Sequence, residues 1–456
     1  MKQLANPALL VWALVALSTG CATYRPAPIE ALQVLEGLEA IEWNPSAPSP
    51  EAPPGRAETS VVGPRELAAF AVSTNPELAA ARAEVGVRQA LLVEAGLLPD
   101  PEFGWDAMNN VASLIVDGGS SSVDTISGFG LMFPLLRPGE RGARVGAAEW
   151  QTEEARRLVA AAEWSLTRSI HVSYEEVQAA ELLLAQNRAL TELAESTNDY
   201  FERAREAGAA TAIQANLALG ELQAIRLDGV RAEARVRQAR QDLNSLLGLP
   251  PDVELPLGPG PDPSAQEELR ATPGDLTAHA VEFRPDLAAL HARYQAAEEG
   301  VRLAVSKQYP QTAIGTGISF TLPFFSKYAR PEIRTALARR AQLSKEFTAA
   351  VHAVRQEIAA AYTSWQFADR ELELIDNELL PNAEESLELS REAFQAGEVT
   401  LLETLALQRA LVAARTRHTE ARAERSKRAW ALLAASGWLL GAPSTNNTIN
   451  TNTEED

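Results

Sequence analysis

Cys21 is the only cysteine among 456 residues, and it closes an apolar run, Ala8 to Leu17, in the setting Leu17-Ser18-Thr19-Gly20-Cys21. A thiol that follows small residues at the end of an export-type apolar segment is the acceptor pattern of a lipobox, where the cysteine is fatty-acylated and becomes the mature N-terminus. One departure is that leucine sits four residues before Cys21, with Ser18 in the place where the usual motif has leucine, and a plain secretory signal that happens to contain a cysteine is the competing reading. The apolar stretch is too short to span a bilayer, so residues 1–20 read as a cleaved signal peptide. Ala22 is not an aspartate, which under the lipoprotein sorting rule directs the chain to the outer membrane. A lone cysteine also excludes an intrachain disulfide framework and any multi-cysteine zinc or iron–sulfur site.

The remaining reactive side chains do not converge on a reaction. The five histidines, His171, His279, His291, His352 and His418, lack an H-x-x-x-H spacing, and only Met1, Met108 and Met132 supply thioethers, so no resident metal site is expected. No G-x-S-x-G, P-loop or phosphate-cradling glycine fingerprint occurs. Paired carboxylates abound, yet 61 acidic residues bring chance pairs. No catalytic residue and no cofactor is expected, and the chain does not read as an enzyme. With 41 basic residues against those 61, the net charge of −20 has no basic patch to offset it, which argues against nucleic acid.

The elements explain more than the reactive groups do. Aromatics make up 6% of a chain rich in alanine, a composition that favours long, closely packed helices. Two segments match at an offset of 209: Asn75-Pro76-Glu77-Leu78-Ala79-Ala80 with Arg284-Pro285-Asp286-Leu287-Ala288-Ala289, and Pro101 with Pro310. Further along the offset is 189, pairing Pro134 with Pro323, Gly208-Ala209-Ala210-Thr211 with Gly397-Glu398-Val399-Thr400, and Gly248 with Gly437. The chain is therefore a tandem duplication whose second copy lacks about 20 residues between Pro310 and Pro323.

Helix-period runs cover 65–97, 136–207 and 211–247 in the first copy, then 275–307, about 326–396 and 400–436 in the second. At 1.5 Å per residue the long run spans about 108 Å and the two shorter ones sum to about 105 Å, so the short pair can stack alongside the long one. Ile170, Val177 and Leu184, and likewise Ile213, Gly220, Leu227 and Ala234, recur every seven residues and point to coiled-coil packing. Residues 102–133, with turn-forming Asp117-Gly118-Gly119-Ser120, read as a β-hairpin.

The resulting division is a signal peptide at 1–20, a lipidated and Pro-rich tether at 21–64, a first repeat at 65–250 with hairpin 102–133, a linker at 251–274, a second repeat at 275–440 with a shortened hairpin at 311–322, and a disordered tail at 441–456. The fold class is mainly α with a small β part.

Four stretches make the chain resemble the TolC family of outer-membrane efflux proteins, and more closely its CzcC-like heavy-metal branch. They are Asn75-Pro76-Glu77-Leu78, Ala95-Gly96-Leu97-Leu98-Pro99-Asp100-Pro101, Arg284-Pro285-Asp286-Leu287, and Ala393-Phe394-Gln395-Ala396-Gly397-Glu398-Val399-Thr400-Leu401-Leu402. The resemblance implies a homotrimer whose helices form a periplasmic α-barrel and whose hairpins close a β-barrel among outer-membrane lipids. It also implies helix–turn–helix tips that dock a periplasmic adaptor, and an inner-membrane pump of the resistance-nodulation-division type. On this reading the chain is the duct of a tripartite efflux system, with metal ions as the suggested cargo. A type I protein secretion duct and a non-conducting periplasmic coiled-coil scaffold are the alternatives.

The candidate docking residues are Gly208, Thr211, Gly397 and Thr400, for which ordinary helix capping is the competing role. Glu392 and Glu398 are candidates for a charged constriction, against which stands simple surface exposure. Phe103, Trp105, Phe129 and Phe133, with Phe324 and Phe325 in the second copy, are candidates for a membrane girdle, for which plain packing between hairpin and helices is the competing role. The 12 residues between Pro310 and Pro323 allow only one membrane crossing of about 9 to 11 residues, which would leave the next helix on the wrong side. Thr312 to Leu322 is therefore expected to form a stunted hairpin turning at Gly315-Thr316-Gly317, or an excursion that never crosses. With one full hairpin per protomer the outer barrel would be short or partly open.

Overall fold

The computed structural model describes residues 24, 26–41, 43, 62–108, 126–260, 262–263, 266–315, 318–321, 329–396 and 398–438. Contacts divide the chain into Met1–Glu42 and Trp43–Asp456. In the first unit a helix not foreseen from the sequence, α1 (Ala31–Glu39), leaves Leu32, Val34, Leu35 and Leu38 exposed. Cys21, the signal segment and the C-terminal tail lie outside the described residues.

The second unit opens with α2 (Pro64–Thr74) and α3 (Pro76–Gly96) where a single run was expected. The break has a local cause: the ring of Pro76 forces Asn75 into an extended conformation, and the Asn75 carboxamide oxygen then accepts from the N–H groups of Glu77 and Leu78. Strands β1 (Glu102–Met108) and β2 (Ile126–Leu135) follow, then α4 (Glu140–Glu206), whose 67 residues run for about 100 Å, and α5 (Ala212–Leu247).

The second copy repeats the plan with α6 (Pro273–Phe283), α7 (Pro285–Ser306), β3 (Gln311–Gly315), β4 (Ile318–Thr321), α8 (Arg330–Leu374), α9 (Leu380–Ala396) and α10 (Leu401–Ser436). A five-residue π turn, Ile375–Leu379, separates α8 from α9. Pro381 accounts for it, because proline has no N–H to give and its ring collides with the carbonyl four residues earlier unless the turn widens. That proline falls within the run expected to be one continuous helix.

The long helix α4 packs against α3, α5, α7 and α10, with small side chains at the contacts: Ala143, Ala148, Ala155, Ala180 and Ala194 are all buried. Ile170 and Val177 are fully buried, as their spacing implied, while the second heptad series is not core. Ile213 is 79% exposed and Leu227 54%, because α5 turns its other face, Ala215, Ala218, Leu222 and Leu243, onto its neighbours.

An apolar core forms where the first turn of α7 and the last turns of α10 meet α6 and the middle of α8, bringing together Leu276, Leu287, Ile358, Trp430, Leu432 and Leu433. Residues 251–274, expected as a linker, are built into this region. Leu255 and Leu269 are buried, Leu257 bridges Val62, and the Tyr174 hydroxyl reaches the carbonyls of Val62 and Gly258.

The four strands form one antiparallel sheet in the order β1-β2-β3-β4. β1 pairs along its whole length with β2, from Glu102↔Met132 to Met108↔Ile126. β3 pairs only with the base of β2, from Leu135↔Thr312 to Met132↔Gly315, and β4 returns along β3 from Ile314↔Ile318. β3 and β4 thus form a short hairpin within the expected segment; residues 316 and 317 lie outside the described residues. Gly315 is required there, since a Cβ at that position would fall 1.7 Å from the Leu131 carbonyl oxygen.

Candidate functional sites at the two ends of the helices

Both helix–turn–helix tips have the same construction. In the first, Gly208 takes φ +72, the left-handed conformation that suits glycine, and the N–H of Ala209 bonds back to the Ala204 carbonyl at 2.7 Å. Thr211 then caps α5 reciprocally: Gln214 N–H donates to Thr211 Oγ1 (3.2 Å), and Thr211 N–H donates to Gln214 Oε1 (2.8 Å). In the second tip, Glu398 N–H reaches the Ala393 carbonyl at 2.9 Å, while Glu403 N–H donates to Thr400 Oγ1 (3.3 Å) and Thr400 N–H donates to Glu403 Oε2 (2.7 Å). Those bonds from the Thr400 backbone and hydroxyl hold the Glu403 carboxyl below the usual carboxylate range. Gly397 lies outside the described residues. Glu392 and Glu398 are exposed.

A small cluster of Phe201, Ala215, Ala218 and Leu405, with Phe394 packed on it, joins the two tips. What sequence reasoning missed is the pair Ile213 and Leu402, one at the same position after each cap, 79% and 60% exposed. The 189-residue offset links them, so the signal was present, but Ile213 had been assigned to a buried seam.

At the opposite end, Arg137 ties the turn before α4 to the start of β3, and Arg141 and Arg144 tie α4 to the end of α3. Arg137 Nε donates to the Tyr309 carbonyl (3.1 Å) and its Nη2 to Gln311 Oε1 (3.3 Å); Arg141 Nε donates to the Gly96 carbonyl (3.0 Å) and Arg144 Nη2 to the Leu97 carbonyl (3.5 Å). Around this collar Leu97, Leu98, Phe133, Leu135, Tyr309 and Ile314 are exposed, an apolar band at the roots of the strands. Phe133 pairs with Ile314, and Trp105 is the register partner of Phe129, while Phe103 faces Leu131 across the ladder. Phe324 and Phe325 lie outside the described residues.

Two of the histidines, His171 and His279, serve packing. His171 is buried and stacked on Trp430 with ring centroids 3.9 Å apart, and burial pushes its pKa down to about 4. His279 is sandwiched between Phe283 and Trp438, with Nδ1 2.8 Å from the Ser436 carbonyl oxygen. Among the described residues, no group of three or more His, Cys, Asp or Glu is placed to hold a metal ion. No described helix is long and apolar enough to cross a membrane.

Two long helical repeats, each interrupted by a short hairpin feeding one sheet, match the family model described as "Outer membrane efflux protein" over residues 69–249 and 276–438. The chain belongs to that family. It is an outer-membrane efflux duct, and duct proteins of this kind work with a periplasmic adaptor and an inner-membrane pump.

The cobalt-zinc-cadmium resistance protein CzcC of Cupriavidus metallidurans is 24% identical over 387 residues, spanning 78% of this chain and 86% of that protein. The pyoverdine export outer membrane protein OpmQ of Pseudomonas aeruginosa is 25% identical over 398 residues, spanning 80% and 83%. Among solved structures, the outer-membrane channel OprN superposes with a TM-score of 0.68 at 18% identity, over 82% of this chain and 89% of that one, a likeness of fold.

Proposed function

We propose that this efflux duct acts as a homotrimer anchored by acyl chains on Cys21, docks its adaptor through the paired tips, and passes divalent metal ions delivered by a resistance-nodulation-division pump. The observation that carries the docking assignment is the matched pair of tips. Each ends in the same cap, each offers one large apolar side chain to solvent at the same position, and the Phe201–Leu405 cluster holds the two side by side. Gly208, Thr211 and Thr400 then fix the tip backbone, while Ile213 and Leu402 supply the apolar contact. The metal cargo rests on likeness to CzcC, the siderophore alternative on likeness to OpmQ. The aromatic girdle of Phe103, Trp105, Phe129 and Phe133 would seat the strand end in the membrane.

The test is the double variant Ile213→Asp with Leu402→Asp, both sites being exposed and so tolerant of charge. Adaptor capture from the native membrane should be lost while the circular dichroism spectrum and melting temperature stay unchanged. Full capture would return the tips to plain helix turns. For the cargo, deletion of the gene should sensitise cells to cobalt, zinc or cadmium; unchanged metal tolerance with loss of siderophore export would reverse the assignment.

A further inference from the structure

We propose that a cationic collar at the strand end of the helices, made of Arg141, Arg144, Lys307, Arg330 and Arg334, holds the phosphates of anionic phospholipids in the periplasmic leaflet of the outer membrane.

Three helix ends contribute to the collar, which is why no single stretch of the sequence reads as basic. Two contacts set their relative heights. Arg340 Nη1 lies 3.2 Å from Glu298 Oε2, pairing α8 with an α7 that runs the other way, so Arg330 comes level with Gln308 and Arg334 with Ala304. Gly146 lies against the Glu299 side chain, which sets Arg141 level with Ala304 and Arg144 with Val301. With Lys307 at the end of α7, the five cations occupy a band about 10 Å deep.

The fold does not neutralise them. Among the described residues none of the five meets a carboxylate, whereas Arg137, Arg302 and Arg340 beside them are paired with Glu140, Glu299 and Glu298. Arg141 and Arg144 each give one donor to a carbonyl at the end of α3, and a guanidinium has five. The side chains of Lys307, Arg330 and Arg334 are exposed and make no hydrogen bond within the described fold. Arg141 and Arg330 also stand in the first turns of α4 and α8, where the helix dipole opposes a positive charge. Against the five stand Asp100, Glu102 and Glu332, in a chain whose net charge is −20.

Position says which anion compensates them. On the strand side of the collar Leu97, Leu98, Phe133, Leu135, Tyr309 and Ile314 are exposed. Apolar side chains followed by a layer of cations repeat the order of a lipid leaflet, acyl chains and then phosphates. Arginine forks match phosphate oxygens in a bidentate fashion. Beside Arg302 a groove of about 450 Å³ between α4 and α7, lined by Gly139, Gly142, Gly146 and Val305, offers the glycerol a seat. The helical body of an outer-membrane duct stands in the periplasm, which fixes the leaflet.

The test uses the full-length protein purified in non-ionic detergent, supplied with phosphatidylglycerol and phosphatidylcholine of the same acyl chains and read by native mass spectrometry. Phosphatidylglycerol should be retained about threefold over phosphatidylcholine, and the triple variant Lys307→Gln, Arg330→Gln, Arg334→Gln should lose that preference. A control triple of equal charge, Arg188→Gln, Arg237→Gln, Arg370→Gln, removes exposed, unpaired arginines elsewhere on the helices and should keep it. The double variant Arg330→Lys with Arg334→Lys should keep it as well. None of the three collar side chains is bonded within the described fold, so the collar triple should melt with the parent; if it does not, the single variants read in the same way carry the test. An undiminished preference in the collar variants overturns the proposal, and so does an equal loss in the control triple, which would assign the effect to net charge. Displacement of the lipid by millimolar inorganic phosphate also overturns it, because the collar would then be a site for the free anion.

Discussion

Tyr174 and His171 lie one helical turn apart on α4, both closed off from water, and each turns a polar group into a structural constraint. Burial pushes the Tyr174 hydroxyl up to about 12, and the group stays protonated to serve the Val62 and Gly258 carbonyls. Tyr174→Phe should cost about 1–3 kcal/mol, read as a lowered melting temperature, because it leaves buried carbonyls without a donor. His171 works in the opposite direction on a pH scale. Its folded pKa of about 4 lies below the ordinary 6.5, so the unfolded chain takes up a proton first as the solution is acidified. The neutral stack on Trp430 therefore contributes fully above pH 6.5 and is lost progressively from there down to pH 4, by about 3 kcal/mol. His171→Phe, which keeps a ring on Trp430, should flatten the stability–pH curve in that window; an unchanged slope would move the acid sensitivity elsewhere. The sequence indicated only that His171 was no ligand, since the partner that buries it stands in the other repeat.

Helices and their ends were legible because alanine-rich periodic runs are punctuated by Pro and Gly, and the offsets of 209 and 189 located the missing hairpin residues by position alone. Beyond the unforeseen α1 and the break at Pro76, two more features escaped. A seven-residue stripe at Ile213 and Leu227 marks an apolar face without saying which neighbour covers it, and within the protomer none does. The helix through Pro381 was expected to be continuous although the proline itself signalled the wider turn. The short hairpin invites a direct trial: Gly315→Ala puts a methyl into the Leu131 carbonyl and should detach β3 from β2, so that the Phe133 and Leu135 amides exchange with solvent at least tenfold faster. Unaltered exchange would show that the pairing does not depend on that close approach.

At the scale of the molecule, fold class and family were readable because a duplicated pattern of long helices has few other uses; cargo was not, since a duct conducts what its pump selects. Anchoring has its own measurement: Cys21→Ser should abolish fatty-acid labelling and deplete the protein from the outer-membrane fraction, whereas persistent labelling would dismiss the acylation outright, there being no other cysteine. The Thr74 hydroxyl and Asn75 carboxamide bond to the Leu247 and Leu246 carbonyls, and in the second copy Arg284 donates to the Ala435 carbonyl with His279 at Ser436. Each repeat thus ties the end of its last helix to its own first corner, so the start and finish of a repeat are neighbours in space. A chain closed in this way can be cut between repeats, or rejoined in the reverse order, with its corner bonds intact. Expressed as two polypeptides divided within 261–265, the halves should find one another through the bond from Trp164 to the Ala434 carbonyl and the His171–Trp430 stack. The same economy suits descent from a gene of half the length that was duplicated and fused into one.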